Sequence, residues 1–105
     1  MSSFDRLEKL KELMDRNPGD SFPLYGVAME YRRRGDLSEA ACYFEKLVRD
    51  FPDDVAAYLQ YGLTLLDLGR EEEATEVLNS GIERSLASGN EHAAEEMRQL
   101  LETLA

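Results

Sequence analysis

The stretch that decides the fold is "YRRRGDLSEA", residues 31–40, because its Gly-x-x-x-Glu-Ala frame returns in "LLDLGREEEA", residues 65–74. The two frames are 34 residues apart, the distance from Gly35 to Gly69. The same offset aligns two prolines and two aspartates: Pro18 with Pro52 and Asp20 with Asp54. A repetition of this length indicates a supersecondary unit that occurs twice.

The shared residues are of the types that begin or end helices. Each proline follows an amphipathic run that its ring cannot continue, and each aspartate can accept hydrogen bonds from the free N–H groups of a new helix. Each glycine lies midway, where a helix end favours a residue that tolerates a left-handed backbone. Each unit is therefore predicted to contain two helices.

The apolar periodicity supports this prediction. Apolar or small residues recur at i, i+3, i+4 and i+7 in the first helix of each unit: Leu24, Val27, Ala28 and Tyr31, then Tyr58, Tyr61, Gly62 and Leu65. Small residues are expected where two helices approach closely: Ala28, Gly62, Ala40 and Ala74.

A 34-residue helix–turn–helix unit of this composition resembles the tetratricopeptide repeat. The first unit meets the family frame with Leu24, Val27, Ala28, Tyr31, Gly35, Leu37, Ala40, Phe44, Leu47 and Pro52. The second does so with Tyr58, Tyr61, Gly62, Leu65, Gly69, Ala74 and Leu78. The second unit departs from the pattern at Glu71, where an apolar residue is usual, and at Leu86, where the closing proline would stand. Without that proline, its second helix is predicted to run to about Ser88 and to end at Gly89.

The resemblance covers residues 18–88, and the layout as a whole is similar to small stand-alone bacterial repeat proteins of unknown role. It implies an all-α, right-handed superhelix of six helices in a single domain, residues 1–105. Repeat 1 would span residues 21–54 and repeat 2 residues 55–88. Two repeats cannot cover both of their own ends, so amphipathic capping helices are expected at residues 4–17 and 90–105. In the first of these, Leu10, Leu13 and Met14 occupy the frame of Phe44, Leu47 and Val48.

The three consecutive arginines are expected in the last turn of a helix that Gly35 ends. There their charges would complement the negative end of the helix dipole. A local anion site formed by Arg32 and Arg33 is the alternative. Asp36 and Glu39 are predicted to form a reciprocal cap for the next helix.

Composition argues against several function classes. A net charge of −10, from 22 acidic and 12 basic side chains, repels nucleic acid and anionic lipid. The single cysteine, Cys42, has no nearby activating base, and the pair of His92 and Glu96 is too small for a metal site. We expect no enzymatic activity, cofactor, metal, nucleic-acid partner or membrane association, and a location in the cytoplasm.

In the family, the first helix of each repeat lines a concave groove. The corresponding positions here predict a mostly apolar partner-binding surface: Phe22, Tyr25, Met29, Arg32, Arg33, Leu59, Leu63 and Leu66. The resemblance implies a protein or peptide partner, such as an amphipathic helix, for this groove. Two alternatives remain: the three leucines are core residues beneath the C-terminal helix, or the groove joins two copies of the chain in a homo-oligomer.

Overall fold

The structure, a computed structural model, describes the backbone of residues 3–104 and the side chains of residues 6–104. Within this range it contains six helices and no strand: α1 Ser3–Arg16, α2 Ser21–Arg33, α3 Leu37–Asp50, α4 Val55–Asp67, α5 Glu71–Ala87 and α6 Glu91–Glu102. The predicted all-α repeat fold is confirmed. The division into repeats at residues 54/55 stays an interpretation, and Ala105, in the predicted last helix, lies outside the described residues.

Glycines end the helices where the sequence predicted. Gly35 has φ 83° and Gly69 has φ 77°, a conformation that residues with a Cβ avoid. After α2, the N–H groups of Gly35 and Asp36 donate to the carbonyl oxygens of Arg32 and Tyr31 at 3.0 and 2.9 Å. These bonds satisfy carbonyl groups that a helix end otherwise leaves without partners. Helix α5 ends at Ala87 and is followed by Gly89 with φ 78°. This agrees with the helix end near Ser88 that the absence of the closing proline led us to predict.

The predicted helix starts are only partly correct. Asp20 caps α2, since its Oδ1 accepts a hydrogen bond from Phe22 N–H at 3.0 Å. Asp36 precedes α3 but makes no side-chain capping bond, so the reciprocal cap predicted with Glu39 is wrong. The backbone also differs between the two residues, with ψ 121° at Asp20 and 69° at Asp36.

The main core lies between α2, α3 and α4. Phe44, Leu47 and Leu65 are fully buried there. The prediction that small residues allow close packing is confirmed: Ala28, Ala40 and Ala74 are fully buried, and a Cβ added to Gly62 would lie 2.5 Å from Leu78 Cδ2.

Helix α6 covers the other end of the molecule by packing on α5 and touching α4. Its Met97 is fully buried in a second cluster with Tyr58 and Leu78. A Cβ at Gly81 would lie 2.6 Å from Met97 Sδ, so glycine allows α6 to approach α5 closely. The capping role predicted for this helix agrees with these contacts.

Helix α1 covers the N-terminal end less completely. Leu7 is buried, but Leu13 is 43% exposed although it occupies the frame of fully buried Leu47. The two leucines thus share a repeat position but differ in burial. Leu47 lies under α2, the helix that precedes α3 in its repeat, and no described helix precedes α1.

Candidate functional site

An open groove of about 390 Å³ runs between α1 and α2. We call it the α1–α2 groove, and its lining residues are Arg6, Leu10, Phe22, Tyr25, Gly26, Met29, Glu30 and Arg33. The two helices approach closely at its floor, where a Cβ at Gly26 would lie 2.9 Å from Leu10 Cδ2. Phe22, Tyr25, Met29 and Arg33, all predicted from the sequence, line this groove together.

Phe22 is the most exposed of the large apolar side chains in the described part of the chain, with 70% of its surface accessible. Its backbone N–H group bonds to the capping carboxylate of Asp20 in the first turn of α2. The ring contributes little to the core. An exposed aromatic ring at the mouth of a groove is suited to contact with a ligand.

Tyr25 and Met29 lie deeper and are half-buried. Both pack against the main core, and the Tyr25 ring meets Phe44 edge-on at a centroid distance of 6.3 Å. Tyr25 and Met29 thus contact both the core and the groove. Burial raises the pKa of the Tyr25 phenol, with Asp54 adding to the effect, so the ring presents a neutral surface to the groove.

The arginine triplet divides between two places. Arg32 crosses to α4, where Nη1 donates to Thr64 Oγ1 at 3.1 Å and Nη2 lies 2.9 Å from Asp67 Oδ2. Arg33 stays on α2, with Nη2 at 2.6 Å from Glu30 Oε1 and more than half of its side chain exposed. Arg33 therefore lies on the rim of the α1–α2 groove, whereas Arg32 connects neighbouring repeats.

Glu30 is a site residue that sequence reasoning missed. It is only 4% exposed, and its carboxylate accepts hydrogen bonds from Arg33 and also from Arg34 at 3.4 Å. The Arg33 hydrogen bond holds the pKa of Glu30 below its ordinary value. The spacing of Glu30, Arg33 and Arg34 at i, i+3 and i+4 was the available signal. The helix-dipole interpretation of the triplet is incomplete because it omits these ion pairs.

The three predicted leucines of α4 lie outside this groove and are half-buried. Leu59 packs against the cluster that contains Met97 of α6, and Leu66 packs against the main core. The contact of Leu59 favours its placement beneath the C-terminal helix, whereas Leu66 contacts the main core instead. Leu63 lies on α4, the first helix of the second repeat, and part of its surface is accessible.

The remaining candidates for chemistry lie at the surface. Cys42 is an exposed free thiol. His92 Nε2 lies 3.0 Å from Glu96 Oε1, and the imidazole is largely exposed. No group of three metal-ligating side chains occurs in the described part of the chain. Among the helices of residues 3–104, none has the length and apolar content needed to cross a bilayer.

Comparisons with known proteins agree with this geometry. The family model described as tetratricopeptide repeat matches residues 25–91. A solution structure of a tetratricopeptide repeat domain protein from Salinibacter ruber is 30% identical, with a TM-score of 0.74 over 79% of this chain and 84% of that one. A crystal structure of such a protein from the same organism is 30% identical, with a TM-score of 0.72 over 77% and 90%.

The TPR2B domain of yeast Sti1, solved in complex with pHsp70, has a TM-score of 0.83 over 90% of this chain and 75% of that one. It is 21% identical, and at that level the likeness concerns the fold. No curated protein sequence matches the chain significantly.

Proposed function

The chain belongs to the tetratricopeptide repeat family, and on that premise we propose that it is a non-enzymatic module that docks a peptide or amphipathic helix on its concave surface. Members of this family generally act as protein-interaction modules. The observation that carries the proposal is the exposed ring of Phe22 beside Tyr25 and Met29 in an open groove. Aromatic and methionine side chains in such a concavity commonly receive the apolar anchors of a partner.

The lining of this surface favours an apolar anchor over an acidic chain terminus. The Sti1 domain was solved in complex with pHsp70. In any protein, a bound terminal carboxylate pair needs hydrogen-bond donors held in fixed positions. The central positions here are Tyr25, Met29, Leu59 and Leu63, which include no cation. A doubly charged terminus would lose its water at these positions without gaining an ionic partner.

We expect Phe22→Ala and Tyr25→Ala each to weaken partner binding by about 2 kcal/mol or more, as the loss of a buried anchor does. The measurement is affinity capture from the source cells with wild type and variants side by side, followed by titration of each protein that the variants lose. Leu86→Ala is the matched control, because Leu86 is also an exposed apolar residue but lies on α5. Unchanged capture by both groove variants, together with binding of an acidic C-terminal pentapeptide, would contradict the proposal.

The alternative is a homo-oligomer in which the apolar surface of one copy covers that of another. The exposed Phe22 ring is compatible with such an interface. The net charge of −10 on every copy opposes it. Light scattering over a wide concentration range distinguishes the two proposals, since a chain that stays monomeric removes the oligomer.

A further inference from the structure

Two aspartates lie at equivalent positions of consecutive repeats. Asp20 directly precedes α2 and Asp54 directly precedes α4, and the 34-residue offset aligns them. Ser21 and Asp54 line the same small pocket, so the first turn of α2 lies beside the start of α4. Burial, together with the charge of Asp54, raises the pKa of the Tyr25 phenol. Both aspartates therefore lie close to the part of α2 that carries Phe22 and Tyr25.

Neither of these carboxylates forms an ion pair with a side chain in the described part of the chain. Asp20 is exposed and accepts a hydrogen bond from the Phe22 N–H group. Asp54 is half-buried and makes no side-chain capping bond, and its burial raises the pKa of its carboxyl. The neighbouring Asp53, in contrast, pairs with Arg84 at 3.3 Å. Asp20 and Asp54 can therefore each attract a cation without losing an existing ionic partner.

The α1–α2 groove is apolar at the end that these aspartates border. We call this part the Phe22 end, and its residues are Leu10, Phe22 and Tyr25. The four-residue connection between α1 and α2 makes the two helices antiparallel, so Arg6 and Arg33 lie at the other end of the groove. The Phe22 side chain is 70% exposed. The Phe22 end therefore offers a partner an exposed aromatic ring bordered by two carboxylates.

From these observations we propose that the Phe22 end binds an amphipathic helix of another protein that carries a lysine or arginine beside its apolar anchor. The anchor packs on the rings of Phe22 and Tyr25, and the cation lies beside the carboxylates of Asp20 and Asp54. A basic residue is attracted there, whereas an acidic residue meets two like charges. The inference rests on the proposed function and deepens it by giving the charge of the ligand and the end of the groove at which that charge lies.

The charge of the whole chain acts in the same direction. A net charge of −10 attracts a basic peptide from a distance and repels a second copy of the chain. A second copy is therefore a less suitable occupant of the Phe22 end. The same long-range attraction acts on a basic peptide wherever it binds, so the test compares proteins of equal net charge.

The test uses three synthetic peptides with blocked ends. All three share one amphipathic helical sequence with a leucine stripe, and they carry lysine, glutamine or glutamate at two positions beside that stripe. Fluorescence anisotropy with the 105-residue protein at neutral pH and low ionic strength gives their dissociation constants. We expect the lysine peptide to bind about fivefold more tightly than the glutamine peptide, or better, and the glutamate peptide to bind most weakly.

Two double variants distinguish the two aspartates from the overall charge. Asp20→Asn with Asp54→Asn, and Glu72→Gln with Glu83→Gln, each remove two negative charges and change the net charge from −10 to −8. Asparagine keeps the acceptor that caps α2, while Glu72 and Glu83 are exposed on α5, outside the groove. The affinity ratio of the lysine and glutamine peptides should fall towards one with the aspartate pair and stay near its wild-type value with the glutamate pair. An equal fall with both pairs overturns the inference.

The variant Phe22→Ala locates the bound peptide. It should weaken the binding of all three peptides about tenfold or more, because their apolar anchor loses its contact. Unchanged binding to this variant means that the peptides bind elsewhere, and it overturns the inference. Equal affinities of the three peptides, all lowered by Phe22→Ala, overturn the inference but leave the proposed function standing.

Two other results also overturn the inference. One is binding of all three peptides weaker than about 1 mM. The other is a dimer of the chain that excludes them. Thermal unfolding followed by circular dichroism verifies that each variant is folded. Phe22 and Asp20 are exposed and Asp54 makes no side-chain capping bond, so their replacement should leave the fold intact.

Discussion

Glu30 is a buried carboxylate with two arginine partners on its own helix. Its side chain is 4% exposed, and the guanidinium groups of Arg33 and Arg34 pair with it. Sequence reasoning identified the arginines from their position before Gly35 but did not predict this burial. Spacing along a helix shows which side chains can meet, whereas burial depends on the directions they take in three dimensions.

We expect Glu30→Gln to lower the free energy of unfolding by about 1–3 kcal/mol at neutral pH, because two guanidinium groups lose their charged acceptor. The lowered pKa of Glu30 fixes the sign of the pH dependence. Its ionic contribution is fully present above the ordinary value of 4.5 and is lost as the pH falls through the lower folded-state pKa. Urea unfolding at neutral pH and well below pH 4.5 should therefore show a difference between the two proteins that shrinks in acid.

Glu73→Gln is the control for this measurement. Glu73 pairs with Arg70 at the same 2.6 Å and a similar spacing, but both side chains are largely exposed. Exposed pairs of this kind contribute little to stability. An equal loss of stability in the two variants would show that the burial of Glu30 has no energetic effect.

At the scale of helices, the sequence predicted where each one ends more reliably than how it is capped or covered. Gly35 and Gly69 end their helices with a positive φ, and glycine is the residue type that adopts this conformation without strain. Asp36 does not cap α3, because a capping residue type permits the hydrogen bond but the direction of its side chain decides whether the bond forms. Leu13 has the repeat position of Leu47 but is 43% exposed, because the burial of that position depends on another helix.

The pair of Leu13 and Leu47 provides a direct measurement of this cover. Leu47→Ala should lower the free energy of unfolding by about 2–5 kcal/mol, since it leaves a cavity in the main core. Leu13→Ala should cost less than about 1 kcal/mol, because its side chain is already 43% exposed. Thermal or urea unfolding of both variants tests this, and similar losses would mean that α1 is covered in solution.

Over the whole molecule, each helix packs mainly on its neighbours in the chain, so the ends of the array decide its stability. The sequence predicted which residues lie on the side of the molecule that the first helices line. Four of them line one groove: Phe22, Tyr25, Met29 and Arg33. It did not predict that α1 would supply the other wall with Arg6 and Leu10. The family's groove positions lie on first helices, and α1 has the position of a second helix.

A chain shortened to residues 1–88 should lose its cooperative thermal transition or unfold at a much lower temperature. Removal of α6 uncovers Tyr58 and Leu78 and deletes fully buried Met97. Met97→Ala in the full chain is the comparison, with an expected cost of about 2–5 kcal/mol. Differential scanning calorimetry measures all three proteins. A shortened chain that melts with the wild type would show that α6 is dispensable.

The bridge from Arg32 to Thr64 and Asp67 links two consecutive repeats through polar side chains. It joins two consecutive first helices near their C-terminal ends, and the Asp67 side chain is 55% exposed. An ion pair with one partner so exposed contributes about 0.2–1 kcal/mol, which is of the order of thermal energy, and it weakens as salt is added. We therefore expect this link between the two repeats to loosen as the ionic strength around the protein rises.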